Sequence, residues 1–382
     1  MLMLHTPLSP FQYAISASVK PTTQTTHYQG TKRKKEVKVT NYHDNGNRKS
    51  LIVTKYAKDG KTKTSMTTTN YNKEGQKTKQ SKTTYHNNGK KKNTTVTVYK
   101  DHKVIKGATR DIKKYNTNGQ LTSTTYQRYN GKKWVKDSQR GKMVEVQAIL
   151  KKKYNKKNLG IYVYDLKNGF NANINGDKVF HTASTGKLPI MMYTQKLINE
   201  KKIDPNKKYE YTNKINTAPL HTYMKGGAGI LQNKKKGTKY SIATILNWVA
   251  KYSGNQETNF LSHYVANDMD EDFIQYTESI LGHKWTWLRA SAKDNTLLLK
   301  EIYKNGGQLI KDMSNTIFDN QRLPKYLPNK VRVAHKTGDV FQLKHDCGIV
   351  YTKNPYIICV MTDKSNYETI SQISKDVYQI MK

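Results

Sequence analysis

The sequence predicts two units of different class: an all-β meander over residues 27–142 and a mixed α/β unit, of the α+β kind, over residues 143–382. Three observations predict this. A tyrosine–glycine signal returns at a short fixed period between Tyr42 and Tyr129. The threonine- and lysine-rich composition gives way at Met143 to longer apolar runs. After Met143 the pattern reads helix, strand, hairpin, strand, and then a helix whose first turn carries reactive side chains.

The chain has 382 residues and a formal net charge of +39. Residues 27–142 hold 30 Lys+Arg against 7 Asp+Glu, a net of +23, and residues 143–382 a net of +15. Such a chain suits a polyanionic partner, whether an anionic wall polymer, a membrane surface or nucleic acid. The aromatic–basic signatures of the common nucleic-acid modules are missing. No window of 18 apolar residues offers a membrane span. Cys347 and Cys359 are too few for a disulfide scaffold. The eleven histidines show no metal-ligand spacing, and no metal or cofactor is expected.

Residues 1–26 have two readings. Ala14-Ile15-Ser16-Ala17-Ser18 is a small-residue stretch of the cleavage-site kind, behind a mildly apolar start without basic residues. It reads as the end of a secretion signal or as a disordered tail. Residues 19–41, with Thr22, Thr23, Thr25 and Thr26 and the run Lys32-Arg33-Lys34-Lys35, read as a linker or frayed start.

Five segments share one pattern: Tyr42–Gly46, Tyr56–Gly60, Tyr71–Gly75, Tyr85–Gly89 and Tyr115–Gly119. Tyr99 and Tyr129 keep the register without the glycine. Each Asn-Gly, Asp-Gly or Glu-Gly corner fits a hairpin turn in which glycine takes positive φ. The runs between corners, such as Lys63–Thr69, are rich in threonine and suit strands. Seven or eight antiparallel strands are expected, forming a single layer with a thin core and a tyrosine-lined face. This unit is either an adhesive surface for an anionic or sugar polymer, or a solvated spacer whose lysines blunt its edges.

In the second unit, Met143–Tyr154 reads as a helix, Gly160–Gly169 as a strand ending in a turn, and Asn171–Phe180 as its antiparallel partner. A helix is expected from Ser184 to about Glu200. Thr238–Lys251 is helical, with Ser241 as N-cap. Glu257–Val265, Asp294–Lys304 and Asn366–Met381 follow as helices. Val331–His335 is a short strand, and Asp346–Tyr351 pairs with Tyr356–Thr362, setting Cys347 opposite Cys359.

Ser184 and Lys187 stand one helical turn apart. A serine hydroxyl needs a base to become a nucleophile, and a neutral lysine amine supplies one. Ser253-Gly254-Asn255 and Lys336-Thr337-Gly338 follow in order. With these three motifs, residues 143–382 resemble the class A β-lactamases among the penicillin-recognising serine enzymes. Phe180 before the serine, Gly229-Ile230-Leu231 before the second motif, His335 before the third and Asp346–Val350 after it extend the resemblance.

The resemblance implies a serine β-lactamase/transpeptidase-like fold, an antiparallel sheet flanked by helices. It implies Ser184 as nucleophile, Lys187 as base and Ser253 as proton relay. Asn255, Lys336, Thr337 and Gly338 would bind substrate, and the backbone amides of Ser184 and Asp339 would form the oxyanion hole. His335 reads as a packing residue.

Three departures stand out. The enzymes it resembles carry a Glu on an Ω loop to activate the deacylating water, and His283–Lys293 contains none. Glu278 and Glu301 lie in helices and read as solvated. Asp339 follows Lys-Thr-Gly where a small residue is usual, and could repel a substrate carboxylate or pair with Lys336. Gly254 replaces the Asp that braces the second motif.

The expectation is a secreted or surface-associated bacterial serine hydrolase, acylated by β-lactams at Ser184 and slow to turn them over. The alternatives are a penicillin-binding-protein-like peptidase or esterase acting on cell-wall material, and a non-catalytic wall-binding protein.

Overall fold

The computed structural model describes residues 19–217 and 226–382; the small-residue stretch at 14–18 lies outside them. The chain divides into two compact units, Met1–Gly141 and Lys142–Lys382.

In the first unit, nine strands pair antiparallel in sequence order: β1 (Thr22–His27), β2 (Lys34–Tyr42), β3 (Arg48–Tyr56), β4 (Lys63–Tyr71), β5 (Lys77–Tyr85), β6 (Lys91–Val98), β7 (Thr109–Tyr115), β8 (Leu121–Tyr129) and β9 (Trp134–Lys136). The stretch expected to be a linker supplies β1 and β2. Its Thr and Val residues, Val37 and Val39 among them, pair with Thr25 and Thr23. The turns explain the period. In the first, His43 N–H donates to the Asn47 carbonyl and Gly46 N–H to the His43 carbonyl, with Gly46 at φ +81°. A bulge then falls between Asn41 and Tyr42, and the same irregularity recurs before Tyr56, Tyr71, Tyr85 and Tyr115. The repeated tyrosines therefore mark bulged strand ends. The core is thin: Ala108, Thr54, Thr69 and Thr83 are among its few buried residues before Asp137.

The helix α1 (Ser138–Tyr154) begins in the last residues of the first unit and continues into the second, followed there by β10 (Leu159–Asp165), β11 (Asn171–Ile174) and β12 (Val179–His181). Next come α2 (Leu188–Asn199), β13 (Lys208–Glu210), β14 (Lys239–Ser241), α3 (Ile242–Tyr252), α4 (Asn255–Tyr264) and α5 (Glu271–Leu281). It closes with β15 (Arg289–Ser291), α6 (Ala292–Asn305), α7 (Gln308–Met313), β16 (Val333–Val340), β17 (Leu343–Val350), β18 (Tyr356–Thr362) and α8 (Tyr367–Met381). The sheet runs β11-β10-β18-β17-β16, every pair antiparallel.

Strand alternation gives this sheet two apolar faces. Tyr356, Ile358 and Val360 of β18 join Val146 and Leu150 of α1 and Ile373 and Val377 of α8 in one core. Ile357, Cys359 and Met361 join Met191 of α2, Val249 of α3 and Leu299 of α6 in the other. Burial on both sides explains why β18 reads as an unbroken apolar run. Cys347 and Cys359 face each other in register as buried free thiols. Ser241 caps α3 as expected, accepting a hydrogen bond from Thr244 N–H.

Candidate active site

The helix expected from Ser184 begins later. Ala183–Lys187 is a 3-10 turn, and α2 starts at Leu188 with Pro189 in its first turn. Ser184 and Lys187 still share a face at three-residue spacing. The turn is tightly held. Thr182 N–H donates to the Leu288 carbonyl, the Thr185 hydroxyl donates to the Thr182 carbonyl, and Ala183 N–H donates to His181 Nδ1. Ala183 sits at φ +47°, a strained value for a residue with a side chain, directly before the serine. Ser184 remains partly exposed while Lys187 is buried.

Lys187 Nζ lies 3.0 Å from Ser184 Oγ, 2.5 Å from the Ser253 carbonyl and 2.5 Å from Asn255 Oδ1. A neutral amine has two N–H donors and one lone pair. Donating both hydrogens to the Ser253 carbonyl and Asn255 Oδ1 leaves the lone pair for the serine proton. Burial lowers the Lys187 pKa to about 7, and the charge of Glu257 partly opposes that fall. The amine is thus poised as a base near neutrality.

Ser253 ends α3 in the left-handed conformation, φ +59°, which turns the chain sharply into α4. Its Oγ accepts a hydrogen bond from Lys336 Nζ at 2.6 Å, and Lys336 also donates to the Thr337 carbonyl at 3.0 Å. Lys336 is buried. Burial, then the neighbouring Lys187 and Arg322, push its pKa well below that of an ordinary lysine. Gly338 brings β16 against the turn that carries Ser184: a Cβ there would stand 2.9 Å from the Thr182 carbonyl and 3.2 Å from the Thr185 amide nitrogen. Contacts therefore join the three remote motifs: Lys187 reaches Ser184, Ser253 and Asn255, and Lys336 reaches Ser253.

A sequence model of the beta-lactamase enzyme family matches residues 142–381. The chain belongs to the beta-lactamase enzyme family. Its second unit is similar in fold to solved structures of that kind. PBP-A is 22% identical, with a TM-score of 0.52, over 63% of this chain and 96% of that one. The TLA-3 extended-spectrum beta-lactamase is 20% identical, with a TM-score of 0.52, over 63% and 98%. A beta-lactamase from Sphaerobacter thermophilus is 16% identical, with a TM-score of 0.50, over 63% and 96%. No curated protein sequence matches the chain.

Within this beta-lactamase fold the departures take physical form. Asp339 does not pair with Lys336. Its carboxylate is held by Arg322, by Lys344 Nζ at 2.9 Å and by the Tyr367 hydroxyl at 3.0 Å. Arg322 is only 1% exposed, and its guanidinium also lies 4.1 Å from the centre of the Tyr367 ring. Nothing in the local sequence around Arg322 marks it, because its partners come from β16 and α8. His335 packs as expected, its Nδ1 2.9 Å from Asp346 and its Nε2 3.0 Å from Asp319. Burial disfavours its charge, but Asp346 and Asp319 outweigh burial and raise its pKa to about 9.

The α5–α6 connection is short, with Gly282–Leu288 leading straight into β15. Glu278 accepts from Trp285 N–H at 2.9 Å, which closes that connection. Glu301 is not solvated as expected: 13% exposed, it accepts from the Tyr276 hydroxyl and Lys304. No cluster of metal-ligating side chains occurs among the described residues.

Proposed function

We propose that this protein is an active-site serine hydrolase acylated at Ser184 by β-lactams, with slow deacylation. The observation that carries the reading is the 3.0 Å separation of a buried, pKa-lowered Lys187 amine from the Ser184 hydroxyl, beside a second lysine on Ser253. In the proposed reaction Lys187 removes the Ser184 proton as Oγ attacks the lactam carbonyl. The backbone amides of Ser184 and Asp339 receive the oxyanion, a role worth roughly 3 kcal/mol per donor. Ser253, polarised by Lys336, passes a proton to the departing ring nitrogen. Asn255, Lys336, Thr337 and Gly338 line the substrate side, with Asn255 facing an amide and Lys336 and Thr337 a carboxylate.

Slow deacylation follows from His283–Lys293, which holds no carboxylate to activate water. Loss of one general base lowers a rate by about 10²–10⁴. Among the similar structures, a PBP-A variant is an acyl-enzyme complex with penicillin G. The natural substrate is then a wall peptide or a wall ester met outside the cell. The basic repeat unit, net +23 over residues 27–142, would hold the enzyme near an anionic wall polymer. Among the described residues no helix is long and apolar enough to cross a membrane.

Labelling with a fluorescent penicillin tests this, with Ser184→Ala as control. Labelled wild type, unlabelled variant and a band that persists for many minutes are expected. An unlabelled wild type would favour the non-catalytic wall-binding reading, and a band lost within seconds would refute slow deacylation.

A further inference from the structure

Gly254 removes an aspartate expected to brace the second motif, yet a carboxylate stands in its place. Glu257, in the first turn of α4, is fully buried. Its Oε1 accepts hydrogen bonds from Ile230 N–H and Leu231 N–H, both 2.8 Å. Its Oε2 has no hydrogen-bond partner among the described residues. The carboxyl group fills the space that a Cβ on Gly254 would need, well inside van der Waals contact, and it crowds the Cβ position of Gly229 as well.

The segment that Glu257 grips is the one that holds Asn255. Asn255 N–H donates to the Ala228 carbonyl, and its Nδ2 donates to the Gly226 carbonyl. Asn255 Oδ1 in turn receives Lys187 Nζ, which faces Ser184. A continuous chain of contacts thus runs from Glu257 through residues 226–231 to the base and the nucleophile.

We propose that Glu257 is a positioning residue for acylation at Ser184, its carboxylate taking the space left by Gly254 to clamp residues 226–231 against Asn255 and so fix the amine of Lys187. The proposal rests on the acylation reading above. It also explains the glycine: residues 254 and 257 are one coupled pair, in which the carboxylate has moved three positions along the chain.

The buried charge has a second effect. Among the described residues, Glu257 from α4 is the charged group that acts on Lys187, and those that act on its neighbour Lys336 are Lys187 itself, Arg322 from the segment before β16 and Asp346 from β17. Glu257 favours the ammonium form of Lys187, against burial. Removing its charge alone should make Lys187 lose its proton more readily.

The test uses the full chain, with penicillin G as probe and acylation rate followed against pH. The wild-type rate should climb through about pH 7. Glu257→Gln keeps an acceptor oxygen for Ile230 and Leu231 but no charge. It should move the climb to lower pH by about one unit and lower the plateau severalfold. A wild-type pH profile in E257Q would overturn the electrostatic part. The clamp is read separately by thermal melting. Gly254→Ala should lower the midpoint by several degrees, and Gly254→Ala/Glu257→Ala should fall no further than the worse single variant. Additive losses would overturn the coupling. Failure of the wild type to react would overturn the acylation reading and with it the role of Glu257 in acylation, whereas the melting comparison decides the coupling of residues 254 and 257 in either case.

Discussion

Lys187 is the side chain on which the proposed chemistry turns, and its environment sets a pH dependence. Only the neutral amine accepts the serine proton, so acylation should rise as pH increases through about 7 and then level off, read as rate against pH. Lys187→Ala should lower acylation by about 10²–10⁴, the worth of a general base. Asp339 makes a different prediction. By strand alternation it shares a face of β16 with Thr337, and its carboxylate already occupies Arg322 and Lys344. Asp339→Ala frees both cations for a substrate carboxylate, and a charge-assisted bond is worth roughly 1.5–3 kcal/mol. Acylation by an anionic lactam should rise about tenfold or more relative to a neutral ester of the same lactam. The same variant should melt lower, because Arg322 is buried and loses a partner. Ser184, Lys187, Ser253 and Lys336 were legible in the sequence because each sits in a short motif. Glu257 and Arg322 were not, since their contacts lie 26 and 17 positions away, at Leu231 and Asp339.

Turns and caps were the most legible local features. The five Tyr-to-Gly corners located the hairpins, because a left-handed position after a type I turn selects glycine. At Gly46, Gly75 and Gly89 a Cβ would meet nothing within 4 Å, so an alanine pays only for backbone strain. Each Gly→Ala should cost about 1–2 kcal/mol, seen as a lower melting midpoint of the repeat unit. Ser241→Ala should cost about 1 kcal/mol in the second unit through its lost cap on α3. Element starts were harder to read. Residues 19–41 looked like linker because β1 is polar throughout and the apolar alternation of β2 is only two residues long, Val37 and Val39 among polar neighbours. The start of α2 was read too early because Pro189 fits the first turn of a helix, which makes Ala183–Lys187 a separate 3-10 turn.

The two-unit division was visible as a change of composition, since a threonine-rich single sheet buries little and an enzyme core needs aliphatic residues. The repeat unit's excess positive charge predicts that binding to an anionic wall polymer weakens steeply with salt, measurable by co-sedimentation between about 50 and 500 mM, as the Debye length shrinks. Acylation should not share that dependence, because Lys187 and Lys336 are buried. The central claim is that Ser184 is a working nucleophile. Intact-protein mass after brief exposure to penicillin G tests it most directly. The account predicts a gain of one whole penicillin, carried on the peptide containing Ser184 and missing from Ser184→Ala. An unchanged mass, or an adduct that survives in Ser184→Ala, would contradict it.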